Sequence, residues 1–159
     1  MEDIDYSEQK ENDIINYVYV KSSLFDTVHT IHIGSIKLSK FIADIFNNKK
    51  DDYGYINNPI IIKDIDSSIL LFIVKYMNFY NNKIEKKEPP FPLPNRDIIQ
   101  ILDDEYSLFE ELLTKDIKEF TEYFKSIEYL GLLKLLHKIA SIYSYKLKNM
   151  SIQQLESIF

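Results

Sequence analysis

The chain has 159 residues, 45% of them hydrophobic and 14% aromatic, which is enough for one domain with a buried core. Its 19 Lys plus Arg against 25 Asp plus Glu give a formal net charge of -6, which argues against a nucleic-acid partner, because phosphate tracking needs a clustered positive field. Cysteine is absent, which excludes disulfides, thiolate nucleophiles and Cys-ligated zinc, and no apolar run approaches the ~18 residues of a membrane span.

Residues 1–16 open with MEDIDYSEQKEND, an acidic and polar stretch expected to be flexible. It lacks the basic and apolar regions of a signal peptide, so a cytoplasmic or nuclear location is expected. Tyr17 to Lys21 is β-branched and aromatic and reads as a strand. Ser22 to Asp26 turns the chain, and Thr27 to Ile33 returns as the second strand of a hairpin. From Ser35 the period changes. Leu38, Phe41, Ile42 and Ile45 fall at i, i+3, i+4 and i+7, the stripe of an amphipathic helix.

Asn47 to Asn58 reads as a surface loop, and Ile60 to Ile62 as a short buried strand. Asp66 stands where an N-cap belongs, ahead of a helix whose apolar face runs Ile69, Phe72, Ile73, Tyr76, Met77 and Tyr80. Asn81 to Asn95 carries EPPFPLP and reads as an extended loop, since proline supplies no backbone donor. Its PxxP spacing also fits an SH3 ligand, a common and weakly specific pattern. Asp97 to Leu113 is helical in period, with a break near Ser107 and with Leu102, Tyr106, Phe109 and Leu113 on one side.

Phe120, Tyr123, Phe124, Ile127 and Leu130 form the next helical stripe, and Gly131 is placed like a left-handed residue just past a helix end. The helix from Leu132 to Leu147 is apolar on two arcs. Leu132, Leu135, Ile139 and Ile142 form one; Leu136, Ala140, Tyr143 and Leu147 form the other. Ser151 to Gln154 has capping-box spacing, followed by Leu155, Ile158 and Phe159. Only one arc can face the domain's own core, so the second must be covered either by the last helix folding back or by another chain.

Little here reads as catalytic chemistry. His29 and His32 lie three apart in a strand, on opposite faces, and cannot share a metal. His29 shares parity with Ile31 and reads as inward or at a rim; His137 beside Lys138 reads as solvated. Asp103, Asp104 and Glu105 lack the Asp-x-Asp-x-Asx-Gly pattern of a calcium loop and read as a solvated face. The three glycines are too far apart for a phosphate loop, and no Gly-x-Ser-x-Gly elbow occurs. No cofactor, metal or catalytic residue is expected.

The order of elements and several motifs resemble the Skp-type (S-phase kinase-associated protein) adaptor of SCF ubiquitin ligases, in the BTB/POZ superfamily that also holds elongin C. VYVKSS, Val18 to Ser23, is similar to the family's opening strand. SKFIADIF, Ser39 to Phe46, is similar to its S-x-x-I-x-x-M-L helix. PIIIKDIDSSILLFIVKYM, Pro59 to Met77, is similar to its following strand, turn and helix. The most specific block is Tyr129 to Phe159, which lies without a gap on Y-L-D-I-x-x-L-L and the V-A-x-x-I-K-G-K-[ST]-P-E-E-I-R-x-x-F that follows. The family's residues differ at Glu128 (Asn), Gly131 (Asp), Asn149 (Gly) and Ile152 (Pro). The sequence stops at Phe159, where the family continues with a last helix and a Trp-containing tail that belong to its F-box clamp.

The resemblance implies an α/β (α+β) fold: a BTB/POZ domain at 17–130 with a short three-stranded sheet flanked by helices, and a C-terminal helical extension at 131–159. It implies a non-catalytic adaptor bridging a cullin to F-box proteins. The F-box surface would comprise Leu136, Ala140, Tyr143, Leu147, Leu155 and Phe159, and the cullin surface Ile42, Phe46, Glu128 and Tyr129. Two other readings stay open: a divergent mimic that engages one of these partners, and a BTB module that forms a homodimer.

Overall fold

Alternation along Tyr17–Ser22, strand β1, sorts its side chains: Val18, Val20 and Ser22 are buried while the residues between them are not. The computed structural model describes residues 16–49, 53–81, 105–148 and 150–158. The expectations for residues 1–15, for the proline-rich loop from 82 onward and for the helical start at 97–104 lie outside the described residues.

β1 pairs antiparallel with β2, Val28–His32, and parallel with β3, Ile60–Ile62, giving a mixed sheet of order β2-β1-β3. Helix α2, Ser67–Phe79, packs on this sheet and is the centre of the core. Seven of its residues are buried, among them Phe72, Ile73, Tyr76 and Met77. Its N-cap is Asp66, as expected, whose carboxylate accepts from the Ser68 amide at 2.9 Å. At the other end Asn78 acts as a strand partner for β2: its amide oxygen accepts from the His32 N–H at 2.9 Å and its nitrogen donates to the Thr30 carbonyl at 2.8 Å. That contact covers backbone groups an edge strand would leave open.

The single helix expected from Ser35 is two pieces, a 3-10 helix Ile33–Leu38 and then α1, Lys40–Lys49. The break is at Ser39, which is extended, and its hydroxyl is the reason. It accepts from the Ile42 amide at 3.2 Å, as an N-cap, and donates to the Leu130 carbonyl at 2.6 Å. A residue tied to a distant helix end cannot also continue its own helix.

The remaining helices are α3, Tyr106–Thr114, α4, Ile117–Leu130, α5, Leu133–Lys148, and α6, Ile152–Ile158. Phe109 of α3 and Tyr123 of α4 meet Phe72 edge-on, at 5.8 and 5.6 Å between ring centroids, so these helices close over the side of α2 away from the sheet. A three-stranded mixed sheet with helices making up most of the described chain is an α+β fold, as expected.

Candidate functional site

The α4–α5 turn positions everything that follows. Asp116 caps α4 by accepting from the Glu119 amide at 2.8 Å. At the other end Gly131 has φ 69, and the amides of Gly131 and Leu132 donate to the carbonyls of Glu128 and Ile127. This is the Schellman closure, and the left-handed φ expected from the sequence is present. The turn sits against the start of α1. The Lys40 amide donates to the Gly131 carbonyl at 3.4 Å, and a Cβ at residue 131 would lie 2.9 Å from the Lys40 Cβ.

The inner arc of α5 behaves as its pattern implies: Leu132, Leu135, Ile139 and Ile142 are all buried. Between them is a residue the sequence reading passed over. Lys138 is 1% exposed, and its ammonium donates to Glu105 Oε1 at 2.9 Å, to the Tyr76 hydroxyl at 3.0 Å and to the Tyr80 hydroxyl at 3.3 Å. Glu105, expected on a solvated face with Asp103 and Asp104, is instead 3% exposed; Asp103 and Asp104 lie outside the described residues. The correction has a clear cause, because an ammonium carried inward on the apolar arc needs an anion and α3 begins beside it. Burial raises the Glu105 pKa, and the hydrogen bond and charge of Lys138 oppose that rise.

The outer arc is half-buried at all four positions, Leu136, Ala140, Tyr143 and Leu147. Ala140, Tyr143 and Leu147 come together with Phe120 and Phe124 of α4 around a groove of about 460 Å³, completed by Thr121 and Ser144. The Tyr143 ring leans on buried Phe120 at 5.6 Å between centroids. Leu136 is not among the lining residues. Phe120 and Phe124 belong to the helical stripe read from the sequence but not to the expected docking surface; their i, i+4 spacing on the helix beside the outer arc is the signal for it.

Helix α6 begins with the expected capping box, Ser151 and Gln154 bonding reciprocally at 2.8 and 3.1 Å. None of its described side chains lines the groove, so among the described residues α6 does not cover the outer arc. Leu155 is partly buried and is not among the residues lining the groove, and Phe159 lies outside the described residues.

A second surface lies at the far end of α4. Glu128 is exposed, and Tyr129 is 54% exposed with its ring 5.0 Å from that of Phe41 on α1; Leu133, four residues on, is 66% exposed. Ile42 and Phe46, expected on this surface, are 0% and 9% exposed. They face inward because they belong to the buried cluster that also holds Val18 and Ile127, with Phe46 and Val18 both lying against Gly54. Of α1, Phe41 is the residue brought to Tyr129.

No catalytic constellation accompanies these surfaces among the described residues. His29 is partly buried, and desolvation lowers its pKa; His32 stacks on Tyr17 at 4.9 Å; His137 is exposed. No group of three His, Cys, Asp or Glu among the described residues is arranged to hold a metal ion, and no described helix is long and apolar enough to cross a membrane. Compared with protein-family models and with curated proteins, the chain matches none.

Proposed function

We propose that this protein is a non-catalytic adaptor of the kind its sequence resembles, taking F-box helices in the α4–α5 groove and presenting a separate surface to a cullin. The observation that carries the reading is the groove itself: an arc of Ala140, Tyr143 and Leu147, with Phe120 and Phe124, that the described part of α6 leaves open. Apolar anchors entering such a groove are the usual basis of helix capture, and a platform of this kind buries on the order of 1,000–2,000 Å² with its partner. Tyr129, Phe41 and Leu133 would supply the second surface, at the opposite end of α4 from its N-cap and apart from the groove. An adaptor working this way is expected in the cytoplasm or nucleus and needs no cofactor.

The burial of Ile42 and Phe46 favours a second reading, in which the protein captures F-box proteins and does not engage a cullin. Co-purification of the tagged full chain with a defined F-box protein and a cullin N-terminal domain separates the two. Recovery of both supports the bridging adaptor, and recovery of the F-box protein alone supports the one-sided reading. A symmetric homodimer that recovers neither would sink both and leave the self-associating module.

A further inference from the structure

A larger cavity, of about 1090 Å³, opens at the junction of α3, α4, α5 and α6, and meets the α4–α5 groove at Thr121. Its apolar wall is Leu113, Ile117, Tyr145 and Met150, all buried or half-buried. Among its charged lining residues are three lysines, Lys115, Lys118 and Lys146, and one carboxylate, Asp116, in a chain whose net charge is -6. Among the described residues, with Lys115 set against Glu111 and Glu119, the positive charge at the cavity rests on Lys118 and Lys146, with Asp116 opposing it.

The three lysines are not equivalent. Lys115 lies within 3.8 Å of Glu111 and 3.7 Å of Glu119, so its charge is partly spent. Lys146 is half-buried and donates one proton to the Leu113 carbonyl at 2.8 Å, which holds its ammonium at the cavity with two further donors. Lys118 is exposed on the first turn of α4. The helix end itself is not a free anion site, because Asp116 already accepts from the Glu119 amide and places a carboxylate in the wall.

We propose that this cavity is a docking site for an acidic peptide segment of another protein, with an apolar side chain seated on Ile117, Tyr145 and Met150 and flanking carboxylates on Lys118 and Lys146. Charge complementarity selects the carboxylates, and the apolar wall selects a side chain between them. A bare phosphate or a nucleic-acid backbone satisfies the lysines and leaves the apolar wall wet, whereas Asp116 opposes every anion alike. The proposal does not depend on F-box capture, since the anchoring residues of the two cavities are different.

The test is fluorescence anisotropy with the full chain and a short labelled peptide of glutamates flanking one leucine, against the same peptide with glutamines. Saturable binding of the glutamate peptide, absent for the glutamine peptide, is expected. Lys118→Glu weakens it about fivefold or more, whereas Lys125→Glu, on the same helix but outside the cavity, changes it by less than about twofold. Both lysines are exposed, so unchanged melting of both variants is the check on folding. Absence of saturable binding, equal loss in the two variants, or equal binding of the glutamine peptide overturns the site. Tighter binding of a phosphoserine peptide lacking leucine overturns the choice of ligand.

Discussion

The Lys138 ammonium lies 2.9 Å from the Glu105 carboxylate, with the two side chains 1% and 3% exposed. Two tyrosine hydroxyls complete the ammonium's donors, and its charge also sits 5.1 and 5.0 Å from the centroids of the Tyr76 and Tyr80 rings. A pair this deep is held by its geometry, and removing one partner strands the other in a medium that solvates it poorly.

Lys138→Met is therefore expected to lower stability by about 3–5 kcal/mol. Adding Glu105→Leu restores part of that loss, because the stranded carboxylate disappears with it. Urea unfolding of the two single variants and the double variant measures the coupling, and strict additivity would show that the pair contributes nothing as a pair.

The same carboxylate is expected to make stability depend on pH. Desolvation raises the Glu105 pKa in the folded state, against the pull of Lys138. The native protein thus holds this proton more tightly than the unfolded chain. Its contribution is full below the ordinary glutamate pKa and is lost as pH rises through the raised native value. Over that window the stability difference between Glu105→Gln and the parent is expected to shift in favour of the variant as pH rises, although the variant leaves Lys138 without its anion, and urea midpoints at successive pH values read this shift. A constant difference would contradict the raised pKa.

Gly131 is constrained twice, by φ 69 and by the 2.9 Å approach of a notional Cβ to Lys40. Gly131→Ala is expected to cost about 1–2 kcal/mol or more. Asparagine tolerates the left-handed region, yet its Cβ meets the same Lys40 atom, so Gly131→Asn is not expected to recover the parent stability. An Asn variant as stable as the parent in urea would show that the approach to Lys40 relaxes freely.

The two proposed docking surfaces are expected to fail independently. Tyr129 is 54% exposed, so Tyr129→Ala costs under about 1 kcal/mol of stability while removing cullin capture and sparing F-box capture. Tyr143→Asp places a charge in the α4–α5 groove and is expected to do the reverse, with capture weakened about tenfold or more. Because Tyr143 leans on Phe120, its melting is measured alongside, and Tyr143→Phe serves as the variant that keeps the packing. Loss of both partners in either variant would sink the assignment of two separate surfaces.

The elements set by local chemistry were legible in the sequence: the Asp66 cap, the Gly131 stop, the Ser151 capping box and the inner arc of α5 all depend on residues within a few positions of one another. What was not legible depends on distance along the chain. Ser39 breaks a helical stripe because it bonds to Leu130, a partner 91 residues away. Glu105 is internal because Lys138, 33 residues on, is carried inward. One clue was present and unread. Lys138 stands three residues after Leu135 and four before Ile142, which places it within the buried arc and implies an anion somewhere opposite. The groove needed both α4 and α5, since Phe120 and Phe124 serve the core on one side and line an opening on the other.

The Lys138 anchor also divides the C-terminal helices by how they open. The amides around Lys138 are covered on one side by Leu135, Ile139 and Ile142 and are tied through that ammonium to α2 and α3, so they are expected to exchange with solvent only on global unfolding. Helix α6 has Leu155 as its single partly buried side chain among the described ones, so its amides are expected to exchange through local fraying. The cooperative unit is therefore expected to continue past the Gly131 turn through Ile142 and to end before Ser151, so that the last helix opens in hydrogen exchange ahead of the rest of the molecule.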